Sequence, residues 1–135
     1  MPVTRTEAQG RGDAAETIVA AHLEAAGWTI LGRQVRVGRR ELDLVALDPG
    51  PPAALVAVEV RWRGRRDFGL AEETFDRRKR GHVVAALLGL IATGRLPGGA
   101  PLPRLAVRVD LVVVEPPGAP GGGVRLRHHR AAAVG

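Results

Sequence analysis

Two short apolar runs, each interrupted by acids, constrain this chain more than any other feature: Glu41-Leu42-Asp43-Leu44-Val45 and Val56-Ala57-Val58-Glu59-Val60-Arg61. Between them stands Asp48-Pro49-Gly50-Pro51-Pro52, where proline fixes φ and glycine permits a positive one. Strand, tight turn and strand predict an antiparallel hairpin. Side chains alternate faces along a strand, so Glu41 and Asp43 are expected on one face, and Glu59 and Arg61 on one face. Pairing of the strands would gather three acids and an arginine in one patch. Carboxylates are costly to bury alone, so such a patch calls for a metal ion or a cation. A divalent-metal site acting on phosphate is the first expectation.

The surrounding pattern supplies an α/β frame. Residues 13–26 have helical spacing, with Ala15, Ile18, Val19, His22, Leu23 and Ala26 recurring at steps of three and four. Asp13 suits the N-cap and Gly27 the end. Strands are expected over residues 28–37, 41–47 and 54–61. Residues 63–75 read as a basic loop. Asp76 then caps a helix that runs to about residue 93, with Val83, Val84, Leu87, Leu88 and Ile91 at helical spacing and Gly94 closing it. A Pro/Gly linker over 96–103 leads to a strong strand over 105–115, and a short edge strand is expected over 124–129. The result is a mixed β-sheet with helices packed on it. The expected organisation is a loose arm over 1–12, one α/β domain over 13–115, and a Gly/Pro loop with a basic tail over 116–135.

At 135 residues the chain is long enough for one real core, built from Val, Leu, Ile and Ala, since it has two Trp, two Phe and no Tyr. It has no cysteine, which excludes disulfides, thiolate metal sites and a cysteine nucleophile. The first residues hold no secretory apolar region, and no run approaches the roughly 18 apolar residues of a membrane span. A soluble cytoplasmic protein with no membrane partner is therefore expected. P-loop, dinucleotide-fingerprint and nucleophile-elbow motifs are missing. The net charge is 20 − 14 = +6 and the pI near 11.4, which favours a polyanionic partner, nucleic acid above all. Genome-wide compositional bias would also enrich arginine. Nineteen of the twenty basic residues are Arg, and the single lysine is Lys79.

Asp43 and Glu59 are the leading ligands for Mg²⁺ or Mn²⁺, which prefer oxygen donors. The alternative, exposed acids balanced by arginine, fits poorly with their place inside apolar runs. Glu16 shares a helical stripe with Val19 and Leu23 and can reach the sheet; a first-turn acid favoured by the helix dipole is the bland alternative. Arg61 could hold a scissile phosphate or form a salt bridge, but cannot be a general base. Lys79 lies in Arg77-Arg78-Lys79-Arg80, in the first turn of a helix, where basic charge opposes the dipole. Phosphate contact accounts for that run better than helix stability does. His22 reads as a packed histidine, and His128-His129 has no metal-ligand spacing.

These motifs, in this order, resemble the YraN-like proteins, a bacterial family with a restriction-endonuclease-like, PD-(D/E)XK-type fold. The likeness covers about residues 12–114. It rests on Gly12-Asp13-Ala14-Ala15-Glu16, on Glu41-Leu42-Asp43-Leu44-Val45, on Val58-Glu59-Val60-Arg61-Trp62-Arg63, and on Gly69, Lys79 and Val109-Asp110. It implies that Asp43 and Glu59 are metal carboxylates and that Glu16 is the helix-borne acid of the Holliday-junction-resolvase-like branch. Arg61 stands in the place of the superfamily's catalytic lysine. Arg40 replaces the glycine that usually precedes Glu41. Arginine clamps charge but positions water differently, so Lys79 is a candidate substitute ammonium. The implied activity is metal-assisted phosphodiester hydrolysis of DNA, with Arg63, Arg65, Arg66, Arg77, Arg78 and Arg80 on backbone phosphates. The rival is a non-catalytic nucleic-acid-binding module on the same fold. Resolvase-like members often act as dimers, so a homodimer is the oligomeric state to test.

Overall fold

The protein is seen in a computed structural model that describes residues 7–63 and 71–133. Arg65, Arg66 and Gly69 lie outside the described residues. The elements run α1 (Glu7–Ala25), β1 (Thr29–Val37), β2 (Arg40–Asp48), β3 (Ala54–Trp62), a 3-10 turn (Ala71–Thr74), α2 (Arg77–Thr93), β4 (Ala106–Glu115) and β5 (Arg125–Ala133). They form the expected α/β architecture, a mixed five-stranded sheet in the order β1-β2-β3-β4-β5. Three neighbouring pairs are antiparallel; β3 and β4, joined through α2, are parallel.

Helices cover both faces. On one side Ala15, Val19, Ala20 and Leu23 of α1 pack with Trp28 against Leu44, Ala46, Val56, Val58 and Val112. On the other, Phe75 and Val83, Ala86, Leu87 and Leu90 of α2 pack against Leu42, Val45, Leu55, Ala57 and Leu111. Being covered twice, β3 and β4 are near-continuous apolar runs.

Local signals place the ends of several elements. Asp76 caps α2, its Oδ1 accepting from the Lys79 N–H at 2.9 Å, and Gly94 closes the helix at φ 70°. In the β2–β3 turn, Asp48 Oδ1 accepts from the Gly50 N–H at 2.9 Å. Gly50 has φ 71°, and a Cβ there would meet the Pro52 backbone at 2.1 Å, so only glycine fits.

Two elements are longer than expected. α1 begins at Glu7, so Asp13 lies inside the helix rather than at its N-cap. Gly10 and Gly12, poor helix formers, hide that first stretch in the sequence. β5 runs nine residues rather than being a short edge strand, and charge pins it more than apolar burial does. Arg127 reaches Glu72 at 2.7 Å, His129 reaches Glu72 at 2.8 Å and His128 reaches Asp110 at 2.8 Å. His22, expected to be packed, is exposed on α1. No helix among the described residues is long and apolar enough to cross a membrane.

Candidate functional site

The β2–β3 ladder runs from Asp48↔Ala54 to Leu44↔Val58 and stops. The next residues in that register are Asp43 and Glu59. Instead of pairing through backbone, Asp43 Oδ2 accepts from the Val60 N–H at 2.9 Å. A carboxylate thus replaces a ladder bond where the strands part.

Alternation also fails at this point. Leu44 and Ala46 pack on the α1 side of the sheet, whereas Leu42 packs on the α2 side with Val35. The β1–β2 pairing shifts register between Ile30 and Gly32, then keeps one register to Val37↔Arg40 with a single position skipped, between Arg33↔Leu44 and Val35↔Leu42. The residues between are Asp43 on β2 and Gln34 on β1, the latter at φ 49°. The period-two rule behind a shared face for Glu41 and Asp43 is therefore broken between Leu42 and Leu44, and Glu41 is exposed. Asp43, at this break, is the electrostatic neighbour of Glu16 on α1 and of Glu59 on β3.

From β3, Glu59 is only 3 % exposed and is gripped by two cations. Arg61 Nη1 lies 2.8 Å from its Oε1, and Lys79 Nζ, reaching over from α2, lies 3.6 Å away. Burial pushes the Glu59 carboxyl up to about 7, the negative charge of Asp43 adds to the rise, and Arg61 and Lys79 pull against it. From α1, Glu16 is 5 % exposed, beside Ala15 and Val19. Burial raises its carboxyl too; a hydrogen bond from Gln34 opposes the rise and Asp43 reinforces it. Its Oε2 accepts from Gln34 Nε2 at 3.1 Å, while Oε1 is buried without a partner.

Glu16, Asp43, Glu59, Arg61 and Lys79 are thus brought to one end of the sheet. Among the described residues, however, no three His, Asp or Glu side chains are gathered in a group that could hold a metal ion as they are placed. Glu59 Oε1 is held by its cations, and Glu16 Oε2 by Gln34. Of the expected phosphate contacts, Arg77 and Arg78 are exposed on the first turn of α2. Arg80 is engaged locally, its Nε donating to the Phe75 carbonyl at 2.8 Å and its guanidinium lying 5.7 Å from the centre of the Phe75 ring. Arg63 pairs with Glu115 at 3.7 Å.

A second buried polar group is marked in the sequence only through the Val109-Asp110 motif, with no role given to it. Asp110, in the apolar run of β4, accepts from Arg108 Nε at 2.8 Å and pairs with His128 Nε2 at 2.8 Å. An acid inside an apolar run marks Asp110 just as it marks Asp43 and Glu59. What separates them is satisfaction. Burial raises the Asp110 carboxyl, but hydrogen bonds from His128, Arg108 and the Ala131 N–H outweigh it and hold it below the usual range. Glu16 and Glu59 are raised, because for them burial outweighs the hydrogen bonds and cations that oppose it.

The profile of the Uncharacterised protein family UPF0102 matches residues 15–114. The chain belongs to the UPF0102 family. A UPF0102 protein of Symbiobacterium thermophilum is 38% identical over 116 residues, covering 86% of this chain and 89% of that protein. One from Roseiflexus castenholzii is 36% identical over 103 residues, 76% of this chain and 77% of its own length. Another, from Halorhodospira halophila, is 39% identical over 97 residues, 72% of this chain and 76% of its own. This is the family to which the YraN-like motifs point. The matched UPF0102 segment holds Glu16, Asp43, Glu59, Arg61 and Lys79 and ends one residue short of Glu115.

Proposed function

We propose that this UPF0102 protein is a nuclease-like nucleic-acid-binding protein that hydrolyses DNA phosphodiesters with Mg²⁺ or Mn²⁺, acting on branched or processed DNA in the bacterial cytoplasm. One observation carries the reading. Acids from α1, β2 and β3 crowd where two strands part, and two of them are raised by burial and by the third. Functional sites are where buried carboxylates with shifted pKa values concentrate.

The donor set fits the cation. Mg²⁺ and Mn²⁺ prefer hard oxygens, and Glu16 Oε1 is a buried acceptor with no partner. Glu16, Asp43 and Glu59 would hold the ion, which would supply an acidified water and offset charge on the phosphoryl group. The other roles belong to the chain's cations. Arg61 and Lys79 both grip Glu59, so handing either to a substrate phosphate still leaves the carboxylate a partner. Arg61 stays protonated and serves only to clamp charge. Lys79, partly exposed on the first turn of α2, reaches a phosphate from above the site. Arg77 and Arg78 beside it contact flanking phosphates, which position a duplex without reading its sequence. A second copy of the chain would match the paired strands of a branched substrate.

The test is calorimetric titration of Mn²⁺ into wild type and Asp43→Ala, with and without non-cleavable duplex DNA. Binding in wild type that disappears in Asp43→Ala is expected; no binding under either condition sinks the hydrolase reading. DNA affinity should also fall steeply with salt.

The non-catalytic reading draws on the 2.8 Å Arg61–Glu59 pair, an internal cation where a metal would stand. Cleavage assays separate the two. Lys79→Arg is expected to lower the rate at least tenfold, because an ammonium and a guanidinium are not interchangeable. Unchanged cleavage rules out the Lys79 role. No wild-type cleavage, with cleavage gained in Arg61→Lys, would favour the non-catalytic module.

A further inference from the structure

We infer that Gln34 is a positioning residue that aims the Glu16 carboxylate into the acid site. The inference rests on the metal-site reading above and extends it to a residue the motifs do not mark. Gln34 sits inside β1 at φ 49°, a left-handed conformation that L side chains rarely adopt. Glycine would take that φ freely, and asparagine more readily than glutamine. Reach explains glutamine there. The backbone turn carries the amide off the sheet toward α1, where Nε2 donates to Asp13 Oδ1 at 2.9 Å and to Glu16 Oε2 at 3.1 Å. Ionised carboxylates only accept, so the amide nitrogen must face them, and both its N–H groups are used.

One Glu16 oxygen is therefore held while the other stays open. Hydrogen-bonding one oxygen of a ligating carboxylate is how an outer partner orients it. A mere tether between α1 and β1 does not require Gln34. Arg33 already makes that link, its Nη2 donating to Thr17 Oγ1 at 2.9 Å and lying 3.5 Å from the Asp13 carbonyl. Gln34 also stands at the position skipped in the β1–β2 pairing, opposite Asp43, so the residue that interrupts the ladder beside Asp43 is the one that bonds Glu16.

The test is Mn²⁺ calorimetry on wild type, Gln34→Gly and Gln34→Asn, each also in a Glu16→Gln background, with thermal midpoints measured in parallel. Gln34→Gly relieves the backbone and removes the amide; Gln34→Asn suits the backbone and shortens the reach, and serves if the glycine variant folds poorly. Mn²⁺ affinity is expected to fall about tenfold or more, with the midpoint unchanged or higher, and with no further loss once Glu16→Gln is present. Wild-type affinity in both variants, with binding still abolished by Asp43→Ala, overturns the role of Gln34 alone. An equal loss in the Glu16→Gln background overturns it too, because the effect then bypasses Glu16. Absence of Mn²⁺ binding in wild type overturns the site reading and this inference together.

Discussion

Asp110→Ala is expected to lower the unfolding free energy by about 3–5 kcal/mol, the range for removing one partner of a buried charge pair. Asp110 is 0 % exposed. It accepts from Arg108 Nε at 2.8 Å, Arg108 Nη2 at 3.0 Å and the Ala131 N–H at 3.0 Å, and pairs with His128 Nε2 at 2.8 Å. Arg108 would be left with Asp48 at 2.8 Å, its guanidinium still stacked near Trp28. The β4–β5 register shifts between Val109 and Leu111, opposite Ala131 at φ 53°. Losing the Asp110 cap frees that irregular segment and loosens β5.

The pH signature has a definite sign. The Asp110 carboxyl is held below its ordinary 3.8, so the unfolded chain binds its proton more tightly. Its stabilisation is complete above that value and is lost as pH falls through the lower folded one. Urea unfolding from pH 7 down to 2 should therefore show a weaker acid limb in the variant. A loss under about 1 kcal/mol at pH 7 would mean that the network adds nothing beyond what a surface pair does.

Glu59→Gln should do the opposite and stabilise the protein at alkaline pH. The Glu59 carboxyl rises from 4.5 to about 7 on folding, through burial first and Asp43 second. A raised acid stabilises the fold fully below its unfolded value, and that contribution is lost as pH rises through the folded one. By pH 8 the loss amounts to roughly 3 kcal/mol at most. In chelator, wild type is expected to lose stability between pH 5 and 8 while Glu59→Gln stays flat, so that the variant is ~1–3 kcal/mol more stable at pH 8. Arg61 and Lys79, at 24% and 42% exposure, turn to solvent at small cost. Mn²⁺ should restore the wild type at pH 8 and leave the variant unmoved. Denaturant curves at three pH values decide it. If Glu59→Gln is instead less stable at pH 8, Glu59 is a structural anchor for Arg61 and the proposed site loses its main support.

What the sequence by itself determined is what short-range physics controls. Short apolar runs marked β2, β3 and β4; the Pro/Gly cluster after Asp48 marked the hairpin; Asp76 and Gly94 marked the ends of α2. Each signal acts within a few residues, through φ limits, caps and side-chain period. The motifs around Glu16, Asp43 and Glu59 also named the family and gathered the acids at one place. Tertiary structure decided the rest. It made Asp110 a satisfied structural acid and left Glu59 and Glu16 raised, although all three interrupt apolar stretches. It brought Lys79 of α2 onto Glu59 of β3 and turned Gln34 of β1 toward Glu16 of α1. It also slipped the alternation at Asp43, exposed His22, and built β5 on charge pairs rather than apolar period. The physical reason is range: burial and Coulomb interaction depend on distance in space, and Gln34 and Glu16, Asp43 and Val60, and His128 and Asp110 each lie 17 or more residues apart along the chain.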